Sequence, residues 1–198
     1  SEGNATDFGN LQETTRLQAG ASNSIIGILV SGYTGSYKFN IEKFNIASGG
    51  TTVDDGDTAS NNGAASGASA LHGGLNNGYE GNHPFTAIPM GGGSGDRALF
   101  MGGGLFPGTN STVIDFVTIS TQGNANDFGD VTTARRAGAS LGGTIRGIFG
   151  GGYTPTSQNV IDYVNFAAKG NAADFGDLVI TANYFPGVSD SHGGLQSS

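Results

Sequence analysis

Cysteine and tryptophan are both absent from the 198 residues, and proline occurs only five times. Without thiols no disulfide staples the chain and no thiolate holds a metal, so its order must come from packing and hydrogen bonding. Cations are scarce as well: eight Lys and Arg stand against 16 Asp and Glu, a formal charge of −8. Proteins bind nucleic acid through clustered basic side chains, and a chain so thin in them is expected to bind none. Apolar runs extend over a few residues only, far short of the roughly 20 that a membrane helix needs, so no membrane insertion is expected. The residues that favour helices are too few for a bundle. What is abundant is glycine, 37 residues, together with Phe, Ile, Val and Tyr. Glycine lacks the strict three-residue period of collagen, which leaves short β-strands joined by glycine turns.

The chain repeats itself at two levels. Gly3-Asn4-Ala5-Thr6-Asp7-Phe8-Gly9-Asn10 returns 120 positions later as Gly123-Asn124-Ala125-Asn126-Asp127-Phe128-Gly129-Asp130. Gly32-Tyr33-Thr34 returns as Gly152-Tyr153-Thr154, and His72-Gly73-Gly74-Leu75 as His192-Gly193-Gly194-Leu195. A shorter period of 47 separates Gly123 from Gly170, and more weakly Gly3 from Gly50. Such periods belong to stacked or radially arranged modules. They divide residues 1–198, read as one repeat domain, into modules of about 3–49, 50–122, 123–169 and an incomplete 170–198. Because Ser1 falls inside a repeat unit, a leader or further domains upstream are compatible with this opening.

Within one module, 144–153 reads as an apolar strand running into glycines, and Asn159–Phe166 as a second strand. Val160, Asp162, Val164 and Phe166 share one face of that second strand, with Ile161 and Tyr163 on the other. Val113–Ile119 and Phe39–Ile46 repeat it. The Asp-Phe-Gly-Asp segment reads as a turn carrying one aromatic plug, and Val131–Arg136 as a polar outer strand leading back. Three to four strands in about 47 residues is the size of a propeller blade. The stretch 76–96 lacks the Asp-Phe-Gly-Asp segment and is expected to be a half module or a protruding loop. Its residues Asn76, Asn77, Glu80, Asn82 and His83 are the first candidates for a specific contact.

These motifs carry a resemblance. Phe149-Gly150-Gly151-Gly152 followed by Ile161-Asp162-Tyr163-Val164 resembles the kelch repeat of β-propellers. The same strands, with Gly123–Asp130 and Asp190-Ser191-His192-Gly193-Gly194-Leu195, resemble kelch-like repeat proteins of tailed bacteriophages, especially of cyanobacteria and marine bacteria. The resemblance covers nearly all of the chain except 76–96, and departs from the kelch pattern in having no Trp at the module end. It implies an all-β, kelch-like β-propeller or propeller segment of antiparallel modules, with a β-solenoid as the alternative. It also implies a non-enzymatic structural protein on the virion surface, forming a tail fibre, spike or capsid appendage. Its partners would be copies of itself, neighbouring virion proteins or a host-surface glycan. A chain that starts and stops within modules also suits strand complementation between copies.

Chemistry-bearing patterns are few. Asp7, Asp54, Asp55, Asp57, Asp127, Asp130, Asp174 and Asp177 surround glycine turns, where oxygen ligands could hold Ca2+. The calcium-loop spacing with its distal Glu is missing, and Asp before Gly is ordinary turn chemistry, so no cofactor is expected. Asp190-Ser191-His192 offers triad residue types as sequence neighbours, without a nucleophile elbow, so no catalytic residue is assigned. The rival to a structural role is a lectin-like module for host attachment, in which Tyr33, Tyr79, Phe106 and Tyr153, just after the glycine strands, stack on sugar rings. Packing between modules is the competing use of the same four rings.

Overall fold

The computed structural model describes residues 5, 7–23, 25–59, 62–69, 96–105, 108–143 and 145–189. Among them there is no helix; the chain is all-β, in four antiparallel sheets, none closed into a barrel. The first sheet is a meander of β1 (Ala19–Ser22), β2 (Ile26–Tyr33), β3 (Tyr37–Asn45) and β4 (Val53–Asp57). The second orders β6 (Ser66–Ser69), β7 (Arg97–Met101), β10 (Val113–Thr118) and β11 (Asn126–Asp130) in the same way. The third repeats it with β12 (Ala139–Gly142), β13 (Arg146–Gly150), β15 (Thr156–Asn165) and β16 (Ala173–Ala182), and β14 (Tyr153–Thr154) adds a short hairpin to β15. A small three-stranded sheet joins β5 (Asn62–Gly63), β8 (Gly104–Leu105) and β9 (Thr109–Asn110). In the second sheet β6 and β7 are neighbours with Ser69 opposite Ala98; the stretch between them expected to be a half module or loop, 76–96, lies outside the described residues up to Asp96.

Asp-Phe-Gly-Asp is not a turn. It is part of the outermost strand of its sheet, Asp127–Asp130 in β11 and Asp174–Asp177 in β16, as is its variant Asp54-Asp55-Gly56-Asp57 in β4. Its glycine lies at positive φ, +149° at Gly56 and +151° at Gly129, and the register slips by one residue opposite it, between Ile41 and Glu42 and between Ile114 and Asp115. The turn-forming residues therefore build a bulge rather than a reversal, with the Asp54 carboxylate accepting the Gly56 N–H at 3.2 Å. The residues 131–136, expected as an outer strand, instead cross from that edge to the inner edge of the next sheet. Their only bridge is Arg136 with Tyr153.

Successive sheets meet through three layers of contact. At the inner edge, a Cβ on Gly67 would collide with the Gly20 carbonyl, one on Gly142 with the Ser69 carbonyl, and one on Gly187 with the Ser140 carbonyl. Only glycine lets these backbones approach so closely. In the middle lies the core. Ile28, Val30 and Ile41 of the first sheet pack on Ala98, Phe100, Val117 and Ile119; Leu99, Met101, Ile114 and Phe128 of the second pack on Phe149, Val164 and Phe166. At the outer edge, the carbonyls of Phe8, Asp55 and Phe128 accept the N–H groups of Gly50, Gly123 and Gly170 at 2.7, 3.0 and 2.8 Å. Each repeat thus carries both halves of a clasp, which is why Gly-Asn-Ala precedes Asp-Phe-Gly-Asp along the chain.

Candidate functional site

The third strand of every meander carries one buried carboxylate: Glu42, Asp115 and Asp162. A buried carboxylate needs hydrogen bonds or a cation, and the three sheets meet that need differently. Glu42 accepts from the Thr52 hydroxyl at 2.5 Å and the Gln12 N–H at 3.1 Å. Asp162 accepts from the Thr132 hydroxyl at 2.7 Å and faces the Arg135 guanidinium at 3.1 Å. Arg135 is itself fully buried, donating to the carbonyls of Gly151 at 2.8 Å and Phe149 at 3.2 Å, with its charge 4.4 Å above the Phe149 ring. Burial lowers its pKa, an effect opposed by Asp162. Among the described residues Asp115 has no such hydroxyl or cation partner. Burial raises its pKa to about 6, the nearby Ala59 N–H offsets part of that rise, and the Asp127 charge adds to it.

All eight cations are engaged inside the chain. Lys38 pairs with Glu13 at 3.0 Å and Lys43 with Asp55. The other six lie over rings: Arg16 on Tyr33, Arg97 and Lys169 on Phe116, Arg135 on Phe149, Arg136 on Tyr153 and Arg146 on Tyr163. The Lys43–Asp55 pair occupies the repeat positions of the edge-to-face pairs Phe116–Phe128 and Tyr163–Phe175, so an ion pair replaces an aromatic one at a single joint.

Of the rings singled out in the sequence, Tyr33 and Tyr153 are described, and both are half-buried. Tyr33 packs edge-to-face on Tyr37 at 5.4 Å beneath Arg16 at 4.9 Å. Tyr153 lies beneath Arg136 at 5.0 Å, and Asn110 links the two by accepting from Arg136 at 2.6 Å and donating to the Tyr153 carbonyl at 3.0 Å. No described contact joins the two tyrosines. Tyr79, Phe106, Asn76, Asn77, Glu80, Asn82 and His83 lie outside the described residues. The carboxylates considered for Ca2+ bond locally to the backbone: Asp7, Asp54 and Asp174 each accept the N–H of the glycine two positions on. Among the described residues no acidic or histidine cluster is arranged to hold a metal ion.

Sequence reasoning passed over two features. The Glu42, Asp115, Asp162 series was visible as an acidic residue centred in each aliphatic strand. The second is a concave surface along the first strands of the three sheets, a cavity of ≈ 640 Å³ bordered by Gly20, Gly67, Ser140 and Gly187 and extending over Leu29 and Phe44 of the first sheet. The backbone turns that lead into it sit at equivalent positions: Leu17, Ala64, Ala137 and Tyr184 all have φ between 53° and 62°. The N–H of each of the last three donates to the carbonyl of the one before, at 3.1, 2.9 and 2.8 Å. No protein-family model matches the chain, and a search of curated proteins finds none that matches it.

Proposed function

We propose that the three meander sheets are blades of a kelch-like β-propeller, or of a segment of one, serving as a non-enzymatic structural protein of a bacteriophage virion. The repeated joint supports the blade reading: inner strands in sequential contact around a central cavity, with a relay of left-handed residues linking one unit to the next. Antiparallel meanders favour blades over the parallel coils of a solenoid. A tail fibre, spike or capsid-surface appendage is a place where such a scaffold is repeated and joined to others, and a particle surface is where we put it.

The observation that carries an assembling role is that the first sheet presents an uncovered copy of a surface that is buried twice elsewhere. Phe100, Val117 and Ile119 of the second sheet, and Phe149, Val164 and Phe166 of the third, are core residues facing the preceding sheet. Their counterparts in the first sheet are Leu29, Phe44 and Ile46; Ile46 is 40% exposed where Ile119 and Phe166 are 0%. On the opposite side Phe175 is 51% exposed where its counterpart Phe128 is 2%. Surfaces of this kind on a repeat scaffold are covered by another unit, whether a further module, another copy or a neighbouring virion protein.

Light scattering coupled to size exclusion tests this reading. The expected mass is a stable multiple of the 19.9 kDa chain. A well-behaved monomer across micromolar concentrations would overturn assembly through copies. Co-sedimentation of the chain with intact particles, detected by mass spectrometry, tests the virion placement, and absence from purified particles would sink it. In the lectin-like alternative, Tyr33 and Tyr153 would offer the ring face not covered by Arg16 and Arg136, each of which lies over one face.

A further inference from the structure

Two segments outside the three sheets carry the marks of strands in a further unit. Residues 7–10 repeat the bulged outer strand. Gly9 has φ +147°, and its N–H donates to Asp7 at 3.0 Å. The carbonyls of Phe8 and Asn10 accept from Gly50 and Thr52 at 2.7 and 2.9 Å, as those of Phe128 and Asp130 accept from Gly170 and Ala172. Residues 184–189 repeat the approach to an inner strand. Tyr184 donates to the Ala137 carbonyl at 2.8 Å with φ +53°, and Gly187 lies against the Ser140 carbonyl as Gly67 lies against that of Gly20. Both segments frame one slot. The ≈ 640 Å³ cavity runs from Gly187, Val188 and Ser189 to Leu29, Phe44 and Ile46, and Phe8 packs edge-to-face on Phe44 at 5.8 Å. In the second sheet the inner strand β6 and the outer strand β11 enclose two more, β7 and β10. Among the described residues no strand lies between 187–189 and 7–10. The frame is correspondingly bare: Val188 is 83% exposed where its counterpart Ala68 is 3%.

We propose that this open unit is a slot for a two-stranded β-hairpin of a separate polypeptide, which enters by strand addition and supplies the two central strands. The inference rests on the blade reading above and names what covers the first sheet. Both edges of the slot are held by hydrogen bonds to the first and third sheets without the hairpin, so an entering chain meets a site already in place. Strand edges and exposed apolar side chains are what such additions cover. The frame also sets the chemistry of the hairpin. In the first and third sheets the segment that crosses into the sheet holds the buried carboxylate of its third strand: Gln12 donates to Glu42, and Thr132 and Arg135 hold Asp162. The segment that crosses into the open unit, 177–184, has Val179 and Ala182 where 130–137 has Thr132 and Arg135. Val179 is fully exposed. A carboxylate brought to that point would be buried against it with neither the hydroxyl nor the guanidinium that serve Asp162. The second strand of the hairpin therefore carries an apolar residue where Asp115 and Asp162 stand, which distinguishes it from β7 and β10 of this chain.

The test titrates the whole chain into labelled peptides and follows fluorescence anisotropy. One peptide has the sequence of residues 96–119, a second differs from it by Asp115→Val, and a scrambled version of the second is the control. Saturable one-to-one binding of the Asp115→Val peptide is expected, with the parent peptide weaker by about tenfold or more and the scrambled one not bound. Val188→Asp, at a side chain that already faces solvent, should weaken binding by about tenfold with the melting temperature unchanged. Val179→Thr with Ala182→Arg should narrow or reverse the preference between the two peptides, a change that general apolar adhesion would not produce. No saturable binding, equal binding of the scrambled peptide, stronger binding of the parent peptide, or indifference to Val188→Asp would each overturn the proposal. So would binding that appears only when residues 70–95 are replaced by a short glycine–serine linker, because the chain's own segment would then be the occupant. Light scattering keeps this apart from the assembly reading. A monomeric chain that binds the peptide supports the slot and removes assembly through copies, whereas an assembled chain that binds none gives the slot to a second copy and overturns the hairpin.

Discussion

At the scale of single residues, the repeat supplies its own controls. Lys43 and Asp55 form an ion pair where the other two joints hold ring pairs, and Asp55 is buried. Lys43→Phe alone strands a buried carboxylate and is expected to destabilise the chain by about 3 kcal/mol in urea unfolding. Adding Asp55→Phe rebuilds the pair found at Phe116–Phe128 and should return stability to within about 1 kcal/mol of the starting protein, a coupling that a double-mutant cycle measures. Asp115 gives a different signature. Its pKa in the folded chain is about 6 against 3.8 for the free group, so the folded state holds the proton more tightly. Its contribution to stability is therefore complete below the unfolded pKa and is lost as pH rises through the folded one, by roughly 3 kcal/mol in all. Asp115→Asn removes the titration. Subtracting its stability profile from that of the parent between pH 4 and pH 7 should leave this slope, and a flat difference would show that the carboxylate is solvated or paired.

At the scale of elements, close approach of backbones decides what each glycine tolerates. Gly142 and Gly143 are neighbours in sequence with opposite surroundings. A Cβ on Gly142 would collide with the Ser69 carbonyl, a backbone atom that cannot step aside, whereas one on Gly143 meets nothing within 4 Å and neither glycine has positive φ. Gly142→Ala is expected to lower stability by about 1–3 kcal/mol through overpacking. Gly143→Ala should be neutral or stabilising by up to about 1 kcal/mol, because it reduces the freedom of the unfolded chain. Thermal unfolding of the two variants side by side checks this, and equal melting temperatures would contradict the inner-edge contact. The same geometry explains why Asp-Phe-Gly-Asp, whose residue types predict a turn, is a strand instead. Asp and Gly are turn formers locally, but here the glycine's positive φ and the Asp-to-N–H bond make a bulge that lets the strand continue along its partner.

At the scale of the whole molecule, equivalent positions meet different fates according to what lies beside them. Leu29 and Phe149 occupy the same repeat position, 120 residues apart, yet Phe149 is sealed between two sheets and Leu29 is half-exposed on the cavity. Phe149→Asp should abolish cooperative unfolding, since an unpaired charge in that core costs more than a small domain can bear. Leu29→Asp should leave the fold intact and lower the mass measured by light scattering toward that of the single chain, if the first sheet is a mating face. A Leu29→Asp protein that unfolds would place that face in the core of the single chain, and one that keeps its assembled mass would place the contact elsewhere.

The repeat by itself determined the all-β class, the apolar strands read at Val113–Ile119 and Asn159–Phe166 and found at Val113–Thr118 and Thr156–Asn165, and the alternation that sends Val164 and Phe166 to one face and Tyr163 to the other. Those follow from local rules: side chains alternate along a strand, and glycine ends strands that closely approach other backbones. Tertiary structure alone decided that Asp-Phe-Gly-Asp is an edge strand, that 131–136 is a crossing segment anchored by a buried Arg135, and that Asp115 lacks the partner its two counterparts have. It also decided that Tyr33 and Tyr153 each lie under an arginine. Each of these depends on which residue of a distant repeat arrives beside it. Sequence spacing makes positions equivalent, but a buried charge or an exposed ring is a property of the neighbours that folding brings together.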